Sequence, residues 1–304
     1  MRVTVLRGGP SAERDVSLAG GAAVAAACRR LGHAVTEADV GPDDLSALDV
    51  PADVVFAVLH GRFGEDGQLQ AILQQRQLCF VGSDAAASRL AIDKDASKRA
   101  WRVAGLPTAD WWCLDPGCPT DDLGEAPAPP CVLKPLDEGS SIGVRMCDSA
   151  EQLRASLQEL AARHRRVLVE RRLFGPELTV GILGDVALPV IQVKPAAGFY
   201  DYEAKYLSSD TAYLLEPEVD DATCARVQQL ALEAFRVVGC RDLARVDFVV
   251  DQREGPQLLE INTLPGFTDH SLVPKAAARV GLGFDKLVAT LLDMALRRGP
   301  VSPT

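Results

Sequence analysis

Apolar and polar positions along the chain follow two rhythms. Residues 2–7 (RVTVLR), 34–40 (AVTEADV) and 53–59 (DVVFAVL) are short runs rich in β-branched and aliphatic side chains, and they read as buried strands. Between and after them, residues 13–31 carry a small-residue face and stop at Gly32, and residues 68–77 (QLQAILQQRQ) read as a helix. The order strand, helix, strand, strand, helix is that of an open parallel sheet. A boundary falls near residues 83–89. Residues 93–104 read as a helix stopped by Gly105-Leu106-Pro107, and residues 115–130, rich in Pro, Asp and Gly, read as a surface loop or linker. Short strands are expected at 131–135 (CVLKP), 142–146 (IGVRM) and 166–172 (RVLVERR), with a helix over 149–162. Strand-like runs follow at 177–183, 186–193, 244–251 and 257–262, with a helix at 221–238. Two helices, near 271–280 and 284–297, come last. An α/β first part is thus followed by α+β material, without an internal repeat or low-complexity tract.

Composition narrows the function. The 304 residues, 47% hydrophobic and 24% charged, suit two or three globular domains. No stretch approaches the length of a membrane span. The opening MRVTVLRGGPSAERD lacks the basic, apolar and small-residue regions of a secretory signal, which points to a cytoplasmic protein without a membrane partner. A net charge of −10 without a basic block argues against a nucleic-acid partner, because phosphate backbones need a positive surface. A small anionic ligand met by a few converging cations remains open. The eight cysteines are scattered, form no C-x-x-C pair and mostly sit beside apolar residues. They read as small core residues in a reducing compartment, not as zinc ligands. Lysine is scarce, 7 against 25 arginines, so each lysine is a candidate for a point-charge role. Asn262 is the only asparagine.

Several segments carry candidate chemistry. In ARVDFVVD, alternation puts Arg245, Asp247 and Val249 on one face; in LLEINT, Glu260 and Asn262 share one. If these strands pair through a turn at 251–255, two carboxylates and an amide oxygen converge. Such hard oxygens suit Mg²⁺, with Arg245 placed to offset developing anionic charge. A strand with a charged solvent face gives the same pattern. In LKPLDEGSSIGV, Lys134 ends an apolar strand ahead of a Gly-Ser loop of the kind whose backbone N–H groups close over phosphates; an ordinary hairpin accounts for it equally. Gly139-Ser140-Ser141-Ile142-Gly143 matches G-x-S-x-G, with Asp247 and His270 downstream in hydrolase order. Its context opposes that reading, since charged residues precede it and a β-prone stretch follows. All four tyrosines, 200, 202, 206 and 213, fall in one polar segment with Lys205, which suits a lid or a surface hairpin. Glu13 stands at a helix start, where capping also explains it, and His60 ends a strand beside a glycine loop, where a structural role is the commoner one.

Together, GGPSAERDVSL, LHGRFGEDGQLQ, IDKDASK, VLKPLDEGSSIGV, GPELTVGIL, FYDYEAKY, RVDF and EINTLPGFTDHSLVP resemble the D-alanine–D-alanine ligase family of ATP-grasp enzymes, in the family's order over nearly the whole chain. The resemblance implies an ATP-grasp fold behind an N-terminal open parallel α/β domain. Its parts would be residues 1–88 with the first D-alanine site, 89–176 as the central subdomain, and 177–304 with the metal and second D-alanine sites. It implies ATP as a substrate, two Mg²⁺ ions that Mn²⁺ could replace, D-alanine as the partner molecule and a homodimer. The first carboxylate would become an acyl phosphate that the second amine attacks. By resemblance, Glu13 meets the first D-alanine's amine and, with Ser140 and Tyr206, anchors the lid; His60 lies near that substrate. Lys94, Lys134 and Lys205 meet phosphates, and Glu170, Leu173 and Glu177 frame adenine and ribose. Asp247, Glu260 and Asn262 bind metal; Arg245 and the Gly266 backbone hold the oxyanion; Ser271 and Leu272 hold the second carboxylate. Tyr206 favours D-alanine over D-lactate as acceptor; D-serine is the other rival acceptor. A non-catalytic nucleotide-binding module is a rival of another class, opposed by the intact set Arg245, Asp247, Glu260 and Asn262. Arg172 departs from the pattern, because an apolar or aromatic residue is expected beside adenine there.

Overall fold

The computed structural model describes residues 1–115, 124–136, 143–194 and 211–300. Strands β1 (Arg2–Arg7), β2 (Ala34–Asp39) and β3 (Val54–Ala57) form a parallel sheet in the order β2-β1-β3. A parallel bridge between Val55 and Phe80 extends it. Alternation sends Val3, Val5, Val54, Phe56 and Val58 to one face and Leu6, Val55, Ala57 and Leu59 to the other. Both faces are apolar because both are covered, as parallel sheets require. Helix α2 (Gln68–Gln75) covers the second face through Leu69 and Leu73. Helix α1 (Arg14–Arg30) covers the first, and its small residues let it approach closely. A Cβ on Gly21 would lie 2.5 Å from that of Arg7.

The first face also receives the C-terminal helix, α8 (Phe284–Arg298), through Leu287, Val288, Leu291 and Leu292. Arg30 of α1 donates to both oxygens of Asp285, at 2.8 and 2.6 Å. Arg298 pairs with Asp242 and donates to the Phe80 carbonyl at 2.6 Å. The stretch read as a boundary contains helix α3 (Ala85–Ile92), capped by the Asp84 side chain. Helix α4 (Lys94–Val103) follows, capped by Asp93, which accepts from Asp95 and Ala96 N–H at 3.0 Å each.

A four-stranded antiparallel sheet has the order β4-β7-β5-β6. Its strands are β4 (Trp111–Leu114), β5 (Cys131–Pro135), β6 (Arg145–Cys147) and β7 (Val167–Arg171). Helix α5 (Ala150–Ala161) packs Leu153, Leu157 and Leu160 on one face of it, against Cys131, Leu133, Cys147, Val167 and Val169. The seven described cysteines are free, and four of them are buried. The strand expected at 142–146 begins only at Arg145, because Gly143 has φ +75°, outside the β region.

The third sheet runs β11-β10-β8-β12-β13, with β9 on β8. It comprises β8 (Glu177–Leu183), β9 (Val186–Ala187), β10 (Ile191–Lys194), β11 (Ala212–Leu214), β12 (Leu243–Asp251) and β13 (Gly255–Asn262). The run 186–193 is two strands rather than the one expected. Pro189 has no N–H to give a ladder, and Leu188 N–H turns to the Gly181 carbonyl at 2.8 Å. Leu178, Val180, Ile182, Ala244, Val246 and Phe248 pack against helix α6 (Asp221–Val238) and Trp101 of α4. Helix α7 (Leu272–Arg279) joins the core shared with the N-terminal sheet.

The segment 172–176 crosses from β7 to β8 and is tied to the β12–β13 turn. Phe174 N–H donates to Asp251 at 3.1 Å, Gln252 N–H to the Phe174 carbonyl at 3.0 Å and Val250 N–H to the Pro176 carbonyl at 2.9 Å. A Cβ on Gly175 would lie 1.8 Å from the Val250 carbonyl oxygen, so only glycine fits there.

Leu291 is fully buried where α8 meets the N-terminal sheet. Leu291→Ala is expected to lower the unfolding free energy by about 2–5 kcal/mol, read as a lower urea midpoint with an unchanged slope.

Candidate active site

Strand β12 pairs with β13 so that Asp247 faces Glu260 and Arg245 faces Asn262. The register shifts between Asp247 and Phe248. Leu258 and Ile261 both enter the apolar core, three positions apart, which strict alternation forbids. The bulge absorbs the extra residue. Leu259 then lines a cavity and Glu260 stays opposite Asp247. The two carboxylates, the arginine and the asparagine therefore occupy facing positions on the strand pair.

Asp247, 7% exposed, accepts from Thr179 Oγ1 at 2.6 Å and from Arg245 Nε and Nη2 at 2.9 and 2.8 Å. Glu260 pairs with Lys94 Nζ at 3.2 Å. Asn262 Oδ1 accepts from Leu264 N–H at 2.8 Å. Lys94 is the first residue of α4, where the helix dipole adds to its own charge.

Between the open faces of the two antiparallel sheets lies a cavity of about 390 Å³. Val132, Lys134, Met146 and Glu170 line it from one sheet, Glu177, Gln192, Val249 and Leu259 from the other, and residues 171–176 close the hinge side. Its size suits a drug-sized or cofactor-sized ligand. On its floor Glu170 accepts from Lys134 Nζ at 2.5 Å and from Lys98 Nζ at 2.6 Å. Burial pushes the Glu170 carboxyl up, but Lys134 and Lys98 outweigh it and take its pKa down to about 2. Burial likewise opposes charge on Lys134, yet Glu170, Glu260 and Glu177 hold it above the ordinary lysine value. Arg172, flagged for its place beside adenine, donates to Asp148 at 3.0 Å and sits 5.1 Å from the Phe174 ring centroid.

A second group forms where the N-terminal loops meet the segment after β13. Glu13 occupies the N-cap position of α1, where its side chain makes no cap hydrogen bond and its charge stands at the positive end of the helix. It is 8% exposed. His60 is 5% exposed, with Nδ1 3.4 Å from Glu65; Nε2 has no partner among the described residues. Burial disfavours the imidazolium, while Glu65 and Glu13 outweigh it and raise the pKa. His60 also borders a small void with Leu264, Pro265 and Phe267. Gly266 lies against Ser271, whose Oγ would be 3.2 Å from an added Cβ. Ser271 is the N-cap of α7, and its Oγ accepts from Thr268 N–H at 3.0 Å. The Leu272 side chain packs into the core, so what it offers a ligand is its backbone N–H at a helix start.

Three expected site residues, Ser140, Lys205 and Tyr206, lie outside the described residues, as do Tyr200 and Tyr202 of the expected lid. The remaining tyrosine, Tyr213, is on β11 with Lys275 Nζ 5.0 Å from its ring centroid. Leu173 and Glu177 line the cavity. Two residues escaped the sequence reading, Thr179 and Lys98. Thr179 was legible from alternation in ELTVGIL, which puts it on the same face as Glu177. Lys98 was legible as a rare lysine one helical turn after Lys94.

Two antiparallel sheets clasping a cavity, one presenting Lys134 and Glu170 to it and the other carrying opposed carboxylates, have the arrangement of an ATP-grasp protein. The profile described as "D-ala D-ala ligase C-terminus" matches residues 100–293, and that described as "D-ala D-ala ligase N-terminus" matches residues 34–83. The D-alanine–D-alanine ligase of Alcanivorax borkumensis is 46% identical over 301 residues, covering 98% of this chain and 95% of its own. That of Nitrosomonas europaea is 41% identical, with 97% of each chain covered. The crystal structure of the Bacillus anthracis D-alanine–D-alanine ligase superposes with a TM-score of 0.86 at 32% identity, covering 98% of both chains; its complex with ATP gives 0.85 at 29%, again with 98% of each covered. The chain belongs to the D-alanine–D-alanine ligase family.

Because Glu170 has a pKa of about 2 against an ordinary 4.5, its ion pairs stabilise the fold fully above pH 4.5 and lose that contribution as pH falls toward 2. The stability gap between the native protein and Glu170→Gln is expected to shrink by about 3 kcal/mol across that window, followed by urea denaturation at stepped pH.

Proposed function

We propose that this protein joins two D-alanines into D-alanyl-D-alanine with conversion of ATP to ADP and phosphate, supplying a peptidoglycan precursor in the cytoplasm. Family membership, with relatives of that name aligned over nearly the whole length, supports the reaction. The observation that carries the reading is the opposed pair Asp247–Glu260 beside Arg245 and Asn262, next to a cavity between two sheets.

A carboxylate resists attack until one oxygen becomes a good leaving group, and phosphoryl transfer supplies that. In this reading Lys94 and Lys134 hold phosphates, while Glu170, Leu173 and Glu177 frame the adenine and ribose. Glu13 takes the amine of the first D-alanine beside His60. The first carboxylate attacks the γ-phosphate to give an acyl phosphate. The second amine then displaces phosphate, and Arg245 with the Gly266 N–H steadies the tetrahedral oxyanion. Ser271 and the first N–H groups of α7 receive the second carboxylate. Ser140, Lys205 and Tyr206 complete the set on the strength of the resemblance alone.

The donor set of Asp247, Glu260 and Asn262 is all oxygen and fits Mg²⁺ or Mn²⁺. Two such ions would neutralise repulsion between the anionic nucleophile and the triphosphate. The three-part division at 88/89 and 176/177 and a homodimer belong to the same reading, with α7 and α8 leaning back onto the N-terminal sheet.

Phosphate release with ATP and Mg²⁺ is expected with D-alanine and absent with L-alanine. D-lactate or D-serine in place of the second D-alanine is expected to support slower release; equal or faster release would reassign the acceptor. Asp247→Ala and Glu260→Ala are each expected to lower kcat at least about a hundredfold, with the melting temperature of Glu260→Ala near that of the native protein and that of Asp247→Ala lowered by the loss of its buried partners. Chelation of divalent ions should abolish release, and added Mn²⁺ should restore it.

A further inference from the structure

Lys98 is 1% exposed and does not line the cavity. Its ammonium is nonetheless fixed on three sides. It donates to Glu170 Oε1 at 2.6 Å and to Thr108 Oγ1 at 2.5 Å, and it lies 5.0 Å from the Trp111 ring centroid. Thr108 in turn donates to the Leu258 carbonyl at 2.9 Å, so the anchor reaches the strand that carries Glu260. Glu170 gives its other oxygen to Lys134. One carboxylate therefore serves two lysines, and Glu170 and Lys134 both line the cavity.

Burying an ammonium costs free energy unless it is paired and hydrogen-bonded. A pair of Glu170 and Lys134 alone would be neutral and would leave one buried carboxylate oxygen without its partner. With Lys98 the three side chains carry two positive charges and one negative, and Glu177 and Glu260 act on Lys134 from beyond them. We infer that Lys98 is a positioning residue for the nucleotide's phosphates. It takes up one oxygen of Glu170, so that Glu170 does not by itself cancel the charge Lys134 offers a polyphosphate. It touches no ligand and acts wholly through Glu170 and Lys134.

This rests on the reading that ATP occupies the cavity, and titration of the unaltered protein with ATP and with adenosine tests that reading first. If the unaltered protein binds neither, the site assignment fails, whatever Lys98 does. If it binds both, the comparison is made on Lys98→Gln, Lys98→Met and Lys98→Arg by calorimetry. Gln keeps a hydrogen-bonding head without charge, Met keeps the apolar stem, and Arg keeps the charge. ATP affinity is expected to fall about tenfold or more in the Gln and Met variants and to return in Arg, while adenosine affinity stays within about twofold throughout. An equal loss for ATP and adenosine, or ATP affinity retained by Gln, would overturn the inference. Gln fills the role of Met if the apolar variant does not fold.

Discussion

Leu258 and Ile261 belong in the apolar core, and Glu260 between them must stay out of it; no regular strand satisfies both demands. The bulge opposite Asp247 and Phe248 reconciles them by letting two consecutive residues, Leu259 and Glu260, leave the core side together. The rest of the site follows from that irregularity. Glu260 meets Asp247 across the strand pair, Lys94 reaches Glu260 from the start of α4, and Leu259 becomes cavity wall. Had the ladder stayed regular, the glutamate would sit among Val246, Phe248 and α6, where an unpaired carboxylate is costly.

The two sheets that form the cavity belong to different stretches of chain, yet their spacing is constrained. The crossover 172–176 hydrogen-bonds to the β12–β13 turn, and Thr108 bridges to Leu258. Asp251, 4% exposed, accepts from three backbone N–H groups at 3.0–3.2 Å, which makes the turn a rigid anchor for the hinge. The electrostatics are just as local. An acidic chain of net charge −10 gathers three of its seven lysines where polyphosphate is proposed to bind, with Lys94 paired to Glu260 and Lys98 and Lys134 sharing Glu170. Net charge and site charge are separate properties.

Much of this was legible in the residue pattern. The parallel N-terminal sheet followed from the order of strands and helices, and the turn at 251–255 placed Asp247 and Glu260 on facing strands. The illegible parts have identifiable causes. The run 186–193 reads as one strand because its apolar residues outweigh Pro189, whose missing N–H ends the ladder. Helix α3 hides in a segment of alanines and one Asp cap, where composition resembles a linker. The bulge leaves no mark in LLEIN beyond two apolar residues at odd spacing. The triad of Lys98, Glu170 and Lys134 joins residues 72 and 36 positions apart, and no local pattern announces a contact of that kind.

The helix that completes the core of the first sheet is encoded last. Val3, Val5 and Phe56 share their apolar cluster with Leu287, Leu291 and Leu292. During synthesis the amino-terminal strands therefore emerge with this face covered by α1 alone, and the rest of it stays open until residues 284–298 have left the ribosome. That interval, many seconds at ordinary elongation rates, is when the nascent chain is most in need of a chaperone and most open to capture by another copy.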